Sequence, residues 1–268
     1  MEGSAALACS EEDSALHERS VVFSPLLMEV EGVRHGFSTR FGGQSQGARA
    51  SLNVGAGVGD VPATVRENRG VVLREIGCQD HRWVSLRQVH GSDVVEVTRG
   101  ASKSIEGDGL WTRDPAAAVA ITVADCVPIL IAHSSGRAVA AIHAGWRGTL
   151  EGIGGVMVAR LEAAGFRKED LVVALGPCIG PTAFQVGPEV IERICATFPD
   201  ATISGRDENG KGYANLWELN QFVLQTAGLG MSQIDVVEHC TAGTEEFYSY
   251  RREEGDTGRQ CGIIARAP

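Results

Sequence analysis

No pair of cysteines with CxxC spacing occurs in the chain, although it carries 7 cysteines. An odd number of scattered thiols supports neither a disulfide framework nor a zinc ribbon, and it points to a reducing compartment, the cytoplasm. Long hydrophobic runs are missing as well. The longest, Ala116 to Ala132, is interrupted by Asp125 and contains Pro128, which argues against a membrane span. Basic excess is also absent, because 24 Lys and Arg face 34 Asp and Glu for a formal net charge of -10. That field repels a phosphate backbone or an anionic leaflet, so no nucleic acid and no membrane partner is expected. A small anion held by two or three local arginines remains compatible, since charges beyond a Debye length of about 8 Å are screened. The first stretch, residues 1 to 20, lacks the basic start and apolar core of a secretory signal and reads as a disordered polar leader. With neither internal repeats nor a composition shift marking a linker, residues 21 to 268 read as a single catalytic domain.

What is present is an ordinary globular composition, 43% hydrophobic and 22% charged over 268 residues, enough to bury one substantial core. Short apolar strands alternate with amphipathic helices, which implies an α/β (α+β) fold. Val21 to Met28 and His35 to Arg40 read as strands, followed by a Gly/Ser/Asn-rich loop from Phe41 to Gly59 that is long enough to suggest it covers a site. Ala63 to Ile76 has helical periodicity, and Trp83 to Val89 and Val94 to Thr98 are strand-like, separated by the turn composition His90-Gly-Ser-Asp93. Val119 to Ala124, Ile129 to Ala132 and Ala138 to Ile142 read as buried strands, and the helix that follows carries Leu150, Ile153, Met157 and Leu161 on one face. Leu171 to Leu175, Ile234 to Glu238 and Gly262 to Ala265 complete the strands, with helices over Pro188 to Phe198 and Leu216 to Ala227.

His90, Cys126 and His143 each stand at a sharp exit from an apolar run, where α/β proteins present functional side chains on an anchored backbone. Two imidazoles and a thiolate suit Zn²⁺, with a fourth position left for water or substrate. The separations match no local metal motif, and on spacing alone a buried structural cysteine and two solvated histidines explain the same residues.

The strings Gln88-Val-His90-Gly, Thr122-Val-Ala-Asp-Cys126-Val-Pro128 and His143-Ala-Gly-Trp-Arg-Gly148 resemble, in order and spacing, signature segments of the YfiH/YlmD family. So do Gly176-Pro-Cys-Ile-Gly180, Phe184-Gln-Val-Gly187, Cys240-Thr241, Phe247-Tyr-Ser-Tyr-Arg-Arg252 and Thr257-Gly-Arg259, so the likeness runs from about His35 to the end. The family has also been called laccase-domain, polyphenol oxidase and peptidoglycan editing factor. The resemblance implies a layered sandwich of mixed β-sheets flanked by helices, a YfiH-like fold related to the cytotoxic necrotizing factor-like cysteine hydrolases. It implies zinc held by His90, Cys126 and His143, with copper as the lesser alternative. It also implies phosphorolysis of purine nucleosides, namely adenosine, inosine, guanosine and methylthioadenosine, with adenosine deamination also ascribed to the family. Two positions depart from the usual pattern: Asn215 before Leu216 where relatives commonly carry Asp, and His133 where Asp is usual. Both lie outside the metal triad and bear on substrate details.

Phosphorolysis needs an anion held close to a sugar that becomes cationic. Arg40, in Ser38-Thr-Arg-Phe-Gly-Gly43, and Arg147 are candidate phosphate forks, with Ser38, Asn53 and Arg69 as further substrate or phosphate residues. Asn68 and Cys178 are pocket candidates with an equally good structural reading, as are Trp146 and Tyr248, which can stack on a purine or simply pack. Asp125 adjoins the thiolate as a candidate catalytic proton carrier or support, and the leaving-group acid is Asp125, His35 or water. A multicopper oxidase is disfavoured because none of the 7 histidines forms a His-X-His pair. A cytidine-type deaminase is disfavoured because the H-x-E and P-C-x-x-C strings are absent. The main rivals are a hydrolase or amidase editing a peptidoglycan precursor, with Cys126 as nucleophile and a histidine as base, and a non-catalytic metal-binding module. The sequence sets no oligomeric state.

Overall fold

The computed structural model describes residues 19–102 and 104–267; the expected leader, apart from Arg19 and Ser20, lies outside the described residues. In chain order the elements begin with β1 (Val21–Val22), α1 (Pro25–Met28), β2 (Val33–Ser38), α2 (Pro62–Glu75), β3 (Arg82–Val84) and β4 (Val94–Glu96). Next come β5 (Gly109–Thr112), β6 (Ala117–Val123), β7 (Val127–His133), β8 (Val139–Ala144), α3 (Trp146–Leu150) and α4 (Ile153–Ala163). The chain continues through β9 (Leu171–Leu175), β10 (Gln185–Val186), α5 (Pro188–Thr197), β11 (Ile203–Ser204), β12 (Gly212–Ala214) and α6 (Leu216–Thr226). It closes with β13 (Ile234–Val236) and β14 (Gln260–Arg266).

Two mixed sheets carry the fold, one in the order β1-β2-β14-β6-β3 and the other β13-β9-β7-β8-β5-β4, beside a small sheet β10-β12-β11. Three buried clusters define the layers. Val72 and Leu73 of α2, with Ile76 just past its end, pack on Ala118, Ala120 and Ile263, one face of the first sheet. The opposite face, with Val119, Ile121 and Ile264, meets Leu130, Ala141 and Ala174 of the second sheet. The far face of that sheet, with Ile129, Ile131, Ile142 and Val173, is covered by Met157 and Leu161 of α4, Ile191 of α5 and Leu224 of α6. The architecture is therefore helix, sheet, sheet, helices, in agreement with the expected layered sandwich. Strands buried on both faces need continuous apolar runs, which explains Val127–His133 and Ala117–Val123.

Four expected elements differ from those found. One is the single helix expected after β8, which Gly152, held at φ 73°, breaks into α3 with Leu150 and α4 with Ile153, Met157 and Leu161. Val21 to Met28 is a two-residue strand followed by helix, because Ser24 caps α1 by accepting from the Leu27 amide and Pro25 sits where a first-turn proline is tolerated. The strand expected through Val89 stops at Val84. Beyond it the Gln88 side chain takes over the pairing: its Nε2 donates to the Thr122 carbonyl, and its Oε1 accepts from the Thr122 amide and hydroxyl. His90 therefore lies in a loop well past the strand end. Likewise the strand expected from Val94 to Thr98 ends at Glu96.

Candidate functional site

Twice the chain crosses from the first sheet to the second, between β3 and β4 and between β6 and β7. The first crossing carries His90 and the second carries Asp125 and Cys126. His143 comes from β8, paired in register opposite Pro128, so all three donors meet at one end of the sandwich. Ligand atoms of His90, Cys126 and His143 lie within 4.8 Å of one another. Donors around one tetrahedral ion sit about 3.5 Å apart, so the cluster can close on a single metal with little movement.

One carboxylate organises two of the three donors. Asp108, fully buried, accepts from His143 Nδ1 at 2.7 Å and from the His90 amide at 3.0 Å through the same oxygen. Its other oxygen accepts from the amides of Val89 and Gly91 at 3.1 and 2.8 Å. Nδ1 of His143 being committed, Nε2 is left for a metal, the usual carboxylate–histidine support of such sites. Burial pushes the Asp108 carboxyl up, but the bonds from His143 and from the Gly91 and Val89 amides outweigh it and hold the group below the usual carboxylate range. Asp108 was not foreseen, and the only sequence signal is an aspartate between two glycines at the start of an apolar strand.

The electrostatics of the pair Cys126 and His143 are coupled. Burial raises the Cys126 thiol, yet the charge and hydrogen bonds of His143, with help from His90, bring it down to about 6. Conversely, burial lowers His143, while Cys126 and Asp108 raise it to about 9. A thiolate beside an imidazolium results, the form in which cysteine ligates metals or attacks electrophiles. Gly145, in the third signature string, lies close against the cluster: a Cβ there would sit 3.1 Å from Cys126 Sγ, so the thiol would have to give by a few tenths of an ångström. Two of the three non-glycine residues at positive φ among the described residues stand here, His90 at 62° and Asp125 at 88°, both of types that tolerate the left-handed region better than most.

Over the cluster lies a cavity of about 760 Å³, within the usual range for a small-molecule site. Its lining includes His90, Cys126 and His143, four arginines (Arg69, Arg87, Arg251 and Arg259) and a single carboxylate, Asp125. Arg87 is ion-paired with Glu106, and Arg251 donates to the carbonyls of Ala183 and Gln185. Arg69 and Arg259 donate to carbonyls, and among the described residues neither pairs with a carboxylate. Asp125 accepts from the Thr241 hydroxyl at 2.6 Å and from the Arg251 amide at 2.7 Å. The exposed aromatic at the cavity is Tyr250, beneath the Arg259 guanidinium.

The other expected substrate residues are placed as follows. Arg40 is ion-paired with Glu253 at 2.8 Å, donates to the Ala50 carbonyl and lies over the Tyr248 ring. Arg147 stacks on Trp146, which Arg193 also covers, and Ser38 is buried in β2, accepting from the Cys261 amide. None of these three lines the cavity. Asn53 is fully buried and does not line the cavity, but Ala56 and Val58 do, so the loop from Phe41 to Gly59 borders the site. Tyr248 is buried and donates to the Arg49 carbonyl, which makes it a packing residue. Cys178 is likewise fully buried beneath the site, and burial pushes its thiol well up. His35 is buried in β2 with Nε2 accepting from the Ser24 amide, away from the cavity lining. Arg251 and Arg259 stand in strings that carry the resemblance, but nothing in a single sequence separates them from other surface arginines.

Fold and site together define a two-sheet α/β protein with a His-Cys-His cluster able to bind a metal beneath an arginine-rich cavity. The family described as multi-copper polyphenol oxidoreductase laccase matches residues 34–267. A relative named purine nucleoside phosphorylase YlmD, from Geobacillus stearothermophilus, is 38% identical over 248 residues, covering 88% of this chain and 90% of its own. Purine nucleoside phosphorylase YfiH of Escherichia coli K12 is 36% identical over 246 residues, covering 91% of this chain and 98% of its own. The crystal structure of YlmD from Geobacillus stearothermophilus superposes with a TM-score of 0.84 at 35% identity, covering 93% of this chain and 97% of that one. The chain belongs to the YfiH/YlmD family of laccase-like proteins.

Proposed function

We propose that this chain is a zinc-dependent purine nucleoside phosphorylase acting on adenosine, inosine, guanosine and methylthioadenosine, with adenosine deamination as a second activity of the same site. The observation that carries the reading is the charge of the cavity: four arginines against one carboxylate, directly over a two-nitrogen, one-sulfur cluster. A cavity so lined selects a small anion together with a neutral body, which is what phosphate and a nucleoside present. The names of the relatives agree with it.

His90, Cys126 and His143 would hold the metal, which when bound supplies a Lewis acid beside the substrate oxygens. Arg69 and Arg259, free of carboxylate partners among the described residues, hold phosphate by guanidinium forks. In the reaction an oxygen of dihydrogen phosphate bonds to the ribose anomeric carbon, the bond from that carbon to the purine breaks with its electron pair going to the base, and the proton that the phosphate gives up passes to the base. Asp125, fixed by Thr241 and Arg251, presents the carboxylate that handles that proton. Tyr250 offers a face on which a purine stacks. The protein works in the cytoplasm in this reading.

Incubation with inosine or adenosine, with and without phosphate, tests the proposal. Free base released only when phosphate is present supports it, and the absence of turnover with any nucleoside overturns it; ammonia from adenosine reports the deaminase. Metal analysis of the purified protein should find one zinc per chain, and copper in its place would overturn the zinc assignment. The coupled thiolate and imidazolium of Cys126 and His143 favour a second reading, a cysteine amidase acting on a peptidoglycan precursor. An alkylatable Cys126 in active, metal-free protein would establish that reading instead.

A further inference from the structure

The two arginines without carboxylate partners are aimed by one short segment of the loop from Phe41 to Gly59. Asn53 Oδ1 accepts from the Gly55 amide at 3.1 Å and from the Arg259 amide at 2.8 Å, drawing the two backbones onto one acceptor. The Val54 amide donates to the Arg259 carbonyl at 3.0 Å. The Val54 carbonyl in turn accepts from Arg69 Nε at 2.9 Å. Nδ2 of Asn53 donates to Asp60 Oδ2 at 2.8 Å, and Asp60 also accepts from the Ser45 hydroxyl, which ties the segment to the far end of the loop.

Gly55 is the part of this arrangement with no alternative. Its φ lies outside the left-handed region, so the backbone would accept any residue. Space would not: a Cβ would meet Arg259 Cγ at 2.6 Å and Arg259 Cβ at 2.7 Å. These atoms belong to the stem of the arginine, close to its own backbone, so they cannot swing aside as a side-chain tip can. The stem of Arg259 must run across the bare face of residue 55 for the guanidinium to reach the cavity.

We infer that Asn53, Val54 and Gly55 form a positioning platform that sets the two cavity guanidinium groups at a fixed separation for one phosphate, with Gly55 as the positioning residue for Arg259. The inference rests on the phosphate role of Arg69 and Arg259 proposed above. It accounts for a fully buried Asn53 that does not line the cavity and for a glycine whose backbone conformation does not need one.

The test is a double-mutant cycle of Gly55→Ala with Arg259→Gly, the second of which removes the two closest atoms that a new Cβ would meet and leaves Asn53 Oδ1 at 3.3 Å. Three quantities are read on full-length zinc-loaded protein: stability to denaturant, inorganic phosphate affinity by calorimetry, and the crystal structure of Gly55→Ala. Gly55→Ala alone should weaken phosphate binding at least tenfold, with Arg259 displaced, and should lower stability. In the Arg259→Gly background its effect on both should be several-fold smaller, the remainder coming from the Asn53 Oδ1 contact. A Gly55→Ala structure with Arg259 on its present path, or equal effects of Gly55→Ala in both backgrounds, overturns the positioning role. If Gly55→Ala does not fold alone, recovery of folding in the double variant supports the steric argument, and failure of the double variant overturns it. Displacement of Arg259 with phosphate affinity unchanged overturns the phosphate assignment itself, and this inference with it.

Discussion

Asp108 makes the strongest case at the scale of single residues, because one buried carboxylate orients His143 and fixes the turn that carries His90. Replacing it with asparagine removes the negative charge and turns one acceptor into a donor facing backbone amides. Asp108→Asn is expected to lower zinc affinity about 10- to 100-fold, read by competition with a chelator, while Cys126 remains in place. His35 gives a pH-dependent expectation. Burial lowers it from 6.5 to about 4, only partly countered by the Asp235 charge. The unfolded chain therefore binds a proton that the folded one refuses between those values. Stability from this group is full above about pH 6.5 and declines as the pH falls toward 4, by on the order of 3 kcal/mol. Chemical denaturation at pH 7 and pH 4.5 should show a smaller loss in His35→Gln than in the parent, and equal losses would refute the assignment.

At the scale of elements, caps and crossings decide what the strands and helices can present. The departure at Asn215 is an N-cap: its Oδ1 accepts from the amides of Trp217 and Glu218 at the start of α6. Aspartate does the same work, so Asn and Asp are locally equivalent at this cap. Asn215→Ala should destabilise the protein by about 1 kcal/mol in denaturant titration, whereas Asn215→Asp should hold or slightly raise stability by facing the positive helix end. That helix also sends Trp217 Nε1 to the Gly176 carbonyl, linking the cap to the loop beneath the site. A drop in stability for Asn215→Asp as large as for alanine would show that the charge is unwelcome there. The His133 departure has a different local account, since Nδ1 pairs with the Ser135 hydroxyl at the turn after β7 and touches nothing in the cavity.

Across the whole molecule, the His-Cys-His cluster joins two sheet crossings and one central strand, so an ion there would bind the folded state and find no such site in the unfolded chain. Saturating zinc at about 100 times its dissociation constant would add about 2.7 kcal/mol, and stripping it should lower the melting temperature reversibly in scanning calorimetry. Cys126→Ser should lose most of that response, and a melting temperature indifferent to zinc would argue against the site. Among the described residues no helix is long and apolar enough to cross a membrane. Much of this organisation was legible in the chain: periodicity marked the buried strands and the helices over Ala63–Ile76 and Leu216–Ala227, and polar strings marked where the chemistry sits. The loop bordering the cavity was legible too, from its length and its glycines. Asp108, Arg251, Arg259 and the role of Gly55 were not, because each acts on partners far away in sequence. The linear order of apolar and polar side chains determined layers and site strings, since periodicity is a local property that burial enforces. Which carboxylate holds which histidine, and which cavity arginines lack a carboxylate partner among the described residues, was decided only by the tertiary structure, because those pairings depend on how two sheets are stacked and where the chain crosses between them.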